Sequence, residues 1–181
     1  MERFKTNLLD ETAVTRALKR IAHEILEHNS GADGLVIVGI KRRGIPLAAL
    51  IANNIEAIEG KRVPMGALDI TFYRDDLQKS TLNPIVHPAP LGAEIEGRHV
   101  ILVDDVLYTG RTAAAALDAL KDFGRAASVQ LAVLVDRGHR ELPIRGDYVG
   151  KNIPTSRLER VAVKIPPYDD RIAVDLYENA D

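Results

Sequence analysis

The chain has no cysteine and no tryptophan, and aromatic residues make up only 4% of its 181 positions. Without cysteine there is no disulfide, no thiolate nucleophile and no cysteine metal site. No apolar run approaches the ~18 residues of a membrane span. The opening MERFKTNLLD also lacks the apolar core of a signal peptide. These absences point to a cytoplasmic protein with no membrane partner. An excess of charge of one sign is missing too: 24 Lys and Arg stand against 26 Asp and Glu, a net charge of −2. Nucleic-acid binding is therefore not suggested by bulk charge and would need local basic clusters. No repeat and no low-complexity tract is found. His23, His28, His87, His99 and His139 show no metal-ligand spacing such as HExxH, and no nucleophilic triad is evident. One domain over residues 1–181 is the simplest reading of the length, and it is enough chain to bury a core without staples.

What is present is organised around HVILVDDVLYTGRT, residues 99–112. Val100 to Val103 reads as a strand buried on both faces. Asp104 and Asp105 follow where it leaves the sheet. Val106, Leu107, Tyr108, Thr109, Gly110, Arg111 and Thr112 then lead into AAAALDALKDFG, a helix pattern closed by Gly124. A helix N-terminus offers free N–H groups and a positive dipole end to a phosphate. Gly110 lets the backbone approach closely, and Thr109 and Thr112 add hydroxyl donors. Carboxylates cannot face that phosphate without repulsion, so the acidic pair suits sugar hydroxyls. The stretch asks for a sugar phosphate with neighbouring free hydroxyls. A bland reading stays open, in which two Asp end a strand and Thr-Gly is an ordinary turn. A Walker B strand would need a Walker A loop, and Gly39-Ile-Lys-Arg-Arg-Gly44 is followed by Ile45-Pro46 instead of Lys-Ser/Thr. A phosphoacceptor receiver domain would need more strand–helix units after Gly124.

Elsewhere, Asp10 is a plausible N-cap for a helix to about His28 with an apolar stripe from Val14 to Leu26. Its other side carries Arg16, Lys19, Arg20 and His23, which periodicity alone reads as a solvated face. Leu35 to Ile40 reads as a buried strand. Lys41, Arg42, Arg43 and Gly44 lie at its end, before a helix over 45–58. Three bases there make an anion site or a basic surface turn. Val63 to Phe72 reads as a strand. Residues 73–90 show no period and contain three prolines, a functional loop or a disordered spacer. Ser128 to Val135 is a further buried strand, with Asp136, Arg137, Gly138, His139 and Arg140 leaving its end. Short strands are expected over 147–149, 161–165 and 171–177.

VILVDDVLYTGRT resembles the phosphoribosyl-pyrophosphate motif of type I phosphoribosyltransferases: apolar strand, Asp-Asp, then a Thr-Gly-x-Thr turn. GIKRRG at 39–44, DITFYRDDL at 69–77 and LVDRGHRELPIRGDYVGKNIPTS at 134–156 resemble one branch, the PyrR-type pyrimidine operon attenuation proteins that are also uracil phosphoribosyltransferases. The resemblance covers nearly the whole chain and is weakest at 78–98 and in the last twenty residues. It implies an α/β fold with a central, mostly parallel sheet flanked by helices and a small C-terminal β hood over about 147–177. It implies displacement of diphosphate from 5-phosphoribosyl 1-diphosphate by uracil, giving UMP. Asp104 and Asp105 would hold the ribose hydroxyls, and residues 106–112 the 5′-phosphate. Lys41, Arg42, Arg43 and Gly44 form the diphosphate loop, aided by Arg74. Val135 to His139 form the uracil loop, where backbone groups and Arg137 would read the base edge. The loop at 73–90 would close over substrate, with Tyr73, Arg74 and Asp75 reaching the site. Mg²⁺ is expected on substrate oxygens and water, with no dedicated protein cage. The same branch binds pyrimidine-operon leader RNA when UMP or UTP fills the pocket. Here Arg16, Lys19, Arg20, His23, Arg140, Arg145 and Lys151 would be the RNA contacts, in a homodimer or higher homo-oligomer. A plain uracil salvage enzyme is the alternative. A purine or orotate transferase fits the 135–143 segment less well.

Overall fold

The computed structural model describes residues 1–74 and 89–179. Among these, eight strands and three α-helices occur in the order β1 (Glu2–Leu9), α1 (Glu11–His28), β2 (Leu35–Ile40), α2 (Gly44–Glu59), β3 (Met65–Leu68), β4 (His99–Leu107), α3 (Arg111–Leu120), β5 (Ser128–Asp136), β6 (Tyr148–Asn152), β7 (Glu159–Lys164) and β8 (Ala173–Asn179). Five strands make a sheet in the order β3-β2-β4-β5-β6, and β1-β8-β7 form a second, three-stranded sheet. Every pairing in the larger sheet is parallel and every pairing in the smaller one antiparallel. This is the expected parallel core with a β hood, but the hood is not the C-terminal stretch 147–177: β6 belongs to the parallel sheet, and the N-terminal strand β1 completes the hood.

The parallel sheet forms because its strands are short apolar runs buried on both faces. All six residues of β2 are buried. Alternate side chains feed two cores. Ile37, Ile101 and Val103 pack with α1 and α2 on one face. Val36, Val38, Val100 and Leu102 pack with Ala113, Ala116 and Ala119 of α3 on the other. The hood adds Val161, Val163, Val174 and Leu176 to the α1–α2 side. Asp10 caps α1 as expected, its side chain accepting from Ala13 N at 2.8 Å.

Three further readings of the chain are corrected, and one strand lies where none was assigned. The strand expected over 63–72 is only Met65–Leu68, followed by a 3₁₀ turn at Thr71–Tyr73. The turn is imposed by Asp69, whose carboxylate accepts from Thr71 N at 3.0 Å and Thr71 Oγ1 at 2.6 Å. The acidic pair lies inside β4, which continues to Leu107, paired with β5 as far as Leu107–Asp136. The helix after Gly110 ends at Leu120, and a 3₁₀ turn at Lys121–Phe123 leads to Gly124. Finally, residues 2–9 form a strand that carries no apolar alternation, since its first six residues are exposed. It exists by pairing with β8 and through cross-strand ion pairs such as Arg3–Glu178. The expected loop at 73–90 falls largely outside the described residues, Asp75 with it.

Candidate active site

Because the five strands of the larger sheet are parallel, the segments after them emerge at one end. That topology brings together residues 41–43, 69–74, 108–110, 137–146 and 153–158. The central contribution is the turn from β4 into α3. Gly110, at φ 91°, precedes the helix, and no side chain caps α3. The N-terminus of α2 is likewise uncapped by a side chain. The α3 N-terminus thus presents backbone N–H groups to an anion, whereas in α2 Ile45 N already donates to Arg42 O and Pro46 has no N–H. Thr109 Oγ1 accepts from Arg111 N at 3.3 Å, and Thr109 O accepts from Glu141 N and Leu142 N. A cavity of about 330 Å³ is lined by residues 106–113 with Arg74, Asp104 and Glu141.

Asp104 and Asp105 are partly buried. Asp105 N donates to Asp104 Oδ1 at 2.9 Å, and Val106 N to Asp105 Oδ1 at 2.8 Å. Burial and the neighbouring Asp105 carboxylate push the Asp104 carboxyl well above the ordinary range. Such an acid gains from hydroxyl or cationic partners. A second cavity, about 490 Å³, is lined by Lys41, Arg42, Arg43, Asp69, Thr71 and Arg74 along with both acids. The two cavities share Arg74, Asp104, Val106 and Thr112. The diphosphate-loop and phosphate-turn residues singled out in the sequence are therefore brought to one place.

The loop at 41–44 is pressed against β4. A Cβ on Gly44 would sit 2.3 Å from Val103 O, and one on Gly39 would sit 2.6 Å from Gly44 O. Only glycine fits at either position. Lys41 Nζ lies 3.5 Å from Asp69 Oδ2. The Arg43 guanidinium turns to the hood, where Nε and Nη2 donate to Asp169 at 3.0 and 3.1 Å. Asp169 holds the Arg43 pKa above its usual value, and Arg43 pulls the Asp169 carboxyl below its own.

The segment after β5 lies over the β4–α3 turn. Arg137 is buried at 6% exposure, which lowers its pKa. Its guanidinium stacks 3.9 Å from the Tyr108 ring centroid and donates to Thr155 Oγ1 and Ser156 O. Gly138 and His139 both have positive φ, and His139 Nε2 lies 2.6 Å from Thr155 O. Val135 to His139 line neither of the two cavities. Arg140 bridges the two turns, donating to Tyr108 O at 2.8 Å and to Asp136 Oδ2 at 2.6 Å. Arg111 Nε donates to Glu141 at 2.8 Å.

The remaining predicted basic residues line neither cavity. Arg16, Lys19, Arg20 and His23 are exposed on α1, and Arg145 and Lys151 are exposed on the β5–β6 segment and on β6. Arg20 joins the two groups by donating to the carbonyls of Val149 and Gly150, just before Lys151. The sequence reading did not single out Asp69, Glu141, Thr155, Ser156 or Asp169. Asp69 and Glu141 sit within quoted motifs, but no local pattern marks Asp169, which reaches the site only through the hood.

Residues 5–168 match the family model described as phosphoribosyl transferase domain. The chain is 58% identical over 177 residues to the "Bifunctional protein PyrR" of Bacillus subtilis strain 168, covering 97% of this chain and 98% of the relative. It is 57% identical over 176 residues to the protein of that name from Thermus thermophilus, with 97% of each covered. Among solved structures, a hypoxanthine phosphoribosyltransferase from Staphylococcus aureus superposes with a TM-score of 0.72 at 22% identity, covering 95% of this chain and 92% of that one. The hypoxanthine phosphoribosyltransferase of Trypanosoma cruzi gives 0.72 at 19% identity, with 98% of each covered. These two likenesses speak to the fold.

Proposed function

The chain belongs to the phosphoribosyltransferase family and, within it, to the bifunctional PyrR proteins; from that premise we propose that it transfers a phosphoribosyl group to uracil and, from the same pocket, senses UMP or UTP to control binding of pyrimidine-operon leader RNA. One observation carries the enzymatic half: an acidic pair, a basic loop and an uncapped helix N-terminus meet along two cavities that share Asp104 and Thr112. Asp104 and Asp105 hold the ribose hydroxyls, residues 106–112 the 5′-phosphate, and Lys41, Arg42, Arg43 and Arg74 the diphosphate. Uracil N1 attacks the anomeric carbon as the bond to diphosphate breaks, so the residues act by positioning and electrostatics. The base is met by backbone groups of 135–139, a loop that Arg137 shapes from beneath through Tyr108 and Thr155. The donor set fits magnesium arriving with its substrate. Asp104 and Asp105 of β4 line the cavity read as the diphosphate site and would face such an ion. Carried in with the diphosphate, such an ion would offset charge on the leaving group.

The regulatory half is supported by the placement of exposed bases. Arg20 ties α1 to the strand that carries Lys151, so Arg16, Lys19, Arg20, His23 and Lys151 share one side, with Arg145 on the preceding segment. Arg140 stands nearer the nucleotide, between Tyr108 and Asp136. A salvage enzyme without RNA binding is the second reading. The internal bonding of Arg20 and Arg140 favours it, as does the net charge of −2. We read the chain as one cytoplasmic domain that assembles with copies of itself. No described helix is long and apolar enough to cross a membrane. Titrating leader hairpin RNA with and without UMP, beside uracil-dependent turnover, separates the readings. UMP-tightened binding with turnover is expected, and turnover with no RNA binding leaves the salvage enzyme.

A further inference from the structure

We propose that Asp169 is a positioning residue for the diphosphate end of the site, acting through Arg43. The proposal rests on the reading of residues 41–44 as the diphosphate loop. Asp169 lies on the connection between β7 and β8, far in sequence from every strand end that builds the site. Its carboxylate takes Arg43 fork to fork, Nε to Oδ2 at 3.0 Å and Nη2 to Oδ1 at 3.1 Å. Such pairing fixes the plane of the guanidinium as well as its position. It also uses one edge of the fork, while the opposite edge carries further N–H donors. Arg43 lines the cavity that contains Lys41, Arg42, Asp104 and Asp105.

Both partners are anchored independently. Asp169 Oδ2 also accepts from Ile165 N at 2.9 Å, and the carboxylate side chain is only 11% exposed. Lys164 Nζ stands 3.9 Å from Oδ1. Arg43 springs from a backbone that Gly44 presses onto Val103. The pair is thus a strut from the hood to the basic loop. Lys41 and Arg42 are exposed and have no comparable bidentate partner among the described residues. Removing the strut frees a rotamer-rich arginine beside a bound anion, and ordering it again weakens binding. A generally weakened hood would instead lower affinity at both ends of the site. The consequence is end-specific: diphosphate should feel Asp169, and the 5′-phosphate of UMP, held by the β4–α3 turn, should not.

The test is product inhibition against 5-phosphoribosyl 1-diphosphate, with diphosphate and UMP compared in each variant. In Asp169→Asn, diphosphate inhibition should weaken about ten-fold, the scale of one charge-assisted hydrogen bond, while UMP inhibition stays within about two-fold. Asp169→Glu should recover most of the loss. Adding Asp169→Asn to Arg43→Lys should cost much less than it costs the parent, because both act through one contact. Glu2→Gln breaks the bidentate Glu2–Arg160 pair inside the hood and serves as the structural control, with both inhibition constants unmoved. Equal weakening of diphosphate and UMP, no change in either, or tighter diphosphate inhibition in Asp169→Asn would each overturn the proposal. Lys41→Ala with Arg42→Ala separates the two levels. If those changes weaken diphosphate inhibition and Asp169→Asn does not, only the strut fails; if they too leave it unchanged, the loop reading fails with it. Should Asp169→Asn not fold, Arg43→Lys alone must show the same end-specific loss.

Discussion

The two sheets of this chain are buried to different extents: β7 and β8 of the hood add Val161, Val163, Val174 and Leu176 to the core, while its outer strand β1 is mostly exposed. In the five-stranded sheet, β2 is buried along its whole length, and β4 carries no buried charge before Asp104. In the hood, the first six residues of β1 are exposed, and Arg3–Glu178, Lys5–Glu159 and Glu2–Arg160 link its strands. Its buried acid Asp175 is met by Arg171 and by Asn7 Nδ2 at 3.0 Å. Apolar burial is insensitive to salt and costly to disturb, whereas exposed ion pairs are individually weak and screened. The parallel sheet is therefore a stiff floor that offers chemistry only where its strands end. The hood is a softer cover that meets the floor's basic loop at Arg43–Asp169.

The contrast can be broken most severely from below. Ile101 is fully buried in the middle of β4. Ile101→Ala should destabilise the protein by about 2–5 kcal/mol, read from the urea midpoint by circular dichroism. A loss under about 1 kcal/mol would mean that the floor is not close-packed there.

A smaller effect of opposite sign belongs to the top of the same strand. The Asp104 carboxyl is raised above its ordinary value of 3.8 by burial and by Asp105. The fold favours the protonated form, so stability is lost as pH rises from that ordinary value through the folded one. Asp104→Asn keeps the acceptor for Asp105 N and removes the buried charge. It should raise Tm at neutral pH by about 2–4 °C for each kcal/mol relieved, and the gain should vanish as pH falls below the ordinary value. A lower Tm at neutral pH would show that the acid is not strained by its surroundings.

The smallest change should come from the hood. Lys5→Gln removes the Lys5–Glu159 pair, 2.5 Å apart in the structure. Its effect on Tm should be below both of the others and should disappear in about 1 M salt, where the screening length is about 3 Å. A large, salt-independent loss would mean that β1 is held by packing and not by its ion pairs.

The same division explains what the sequence disclosed. Leu35–Ile40 and 99–112 announce themselves because a strand buried on both faces must be apolar, and because the residues at its end escape that rule. The basic loop and the β4–α3 turn stood out for this reason, the acidic pair stood out as the break in the apolar run of β4, and a family resemblance supplied their proposed roles. Residues 2–9 were not legible, since a strand stabilised by ion pairs with β8 and β7 shows no hydrophobic period. Asp169 was hidden for a related reason. Its partner Arg43 is 126 residues away, and nothing local distinguishes it from Asp170. Arg140 was expected among the RNA contacts, and its bonds to Tyr108 O and Asp136 were not legible because they depend on two strand ends meeting in space.

The central claim is that the carboxylates in β4 hold the sugar of a phosphoribosyl donor. The direct measurement is uracil-dependent diphosphate release by the parent, Asp104→Asn and Asp105→Asn over a range of donor concentrations. Each substitution removes a charge-assisted hydrogen bond worth roughly 1.5–3 kcal/mol. The value of kcat/KM for the donor should therefore fall about ten- to over a hundred-fold, with the fold intact by circular dichroism. Parental rates in both variants would contradict the claim and leave the acidic pair as the polar end of a strand.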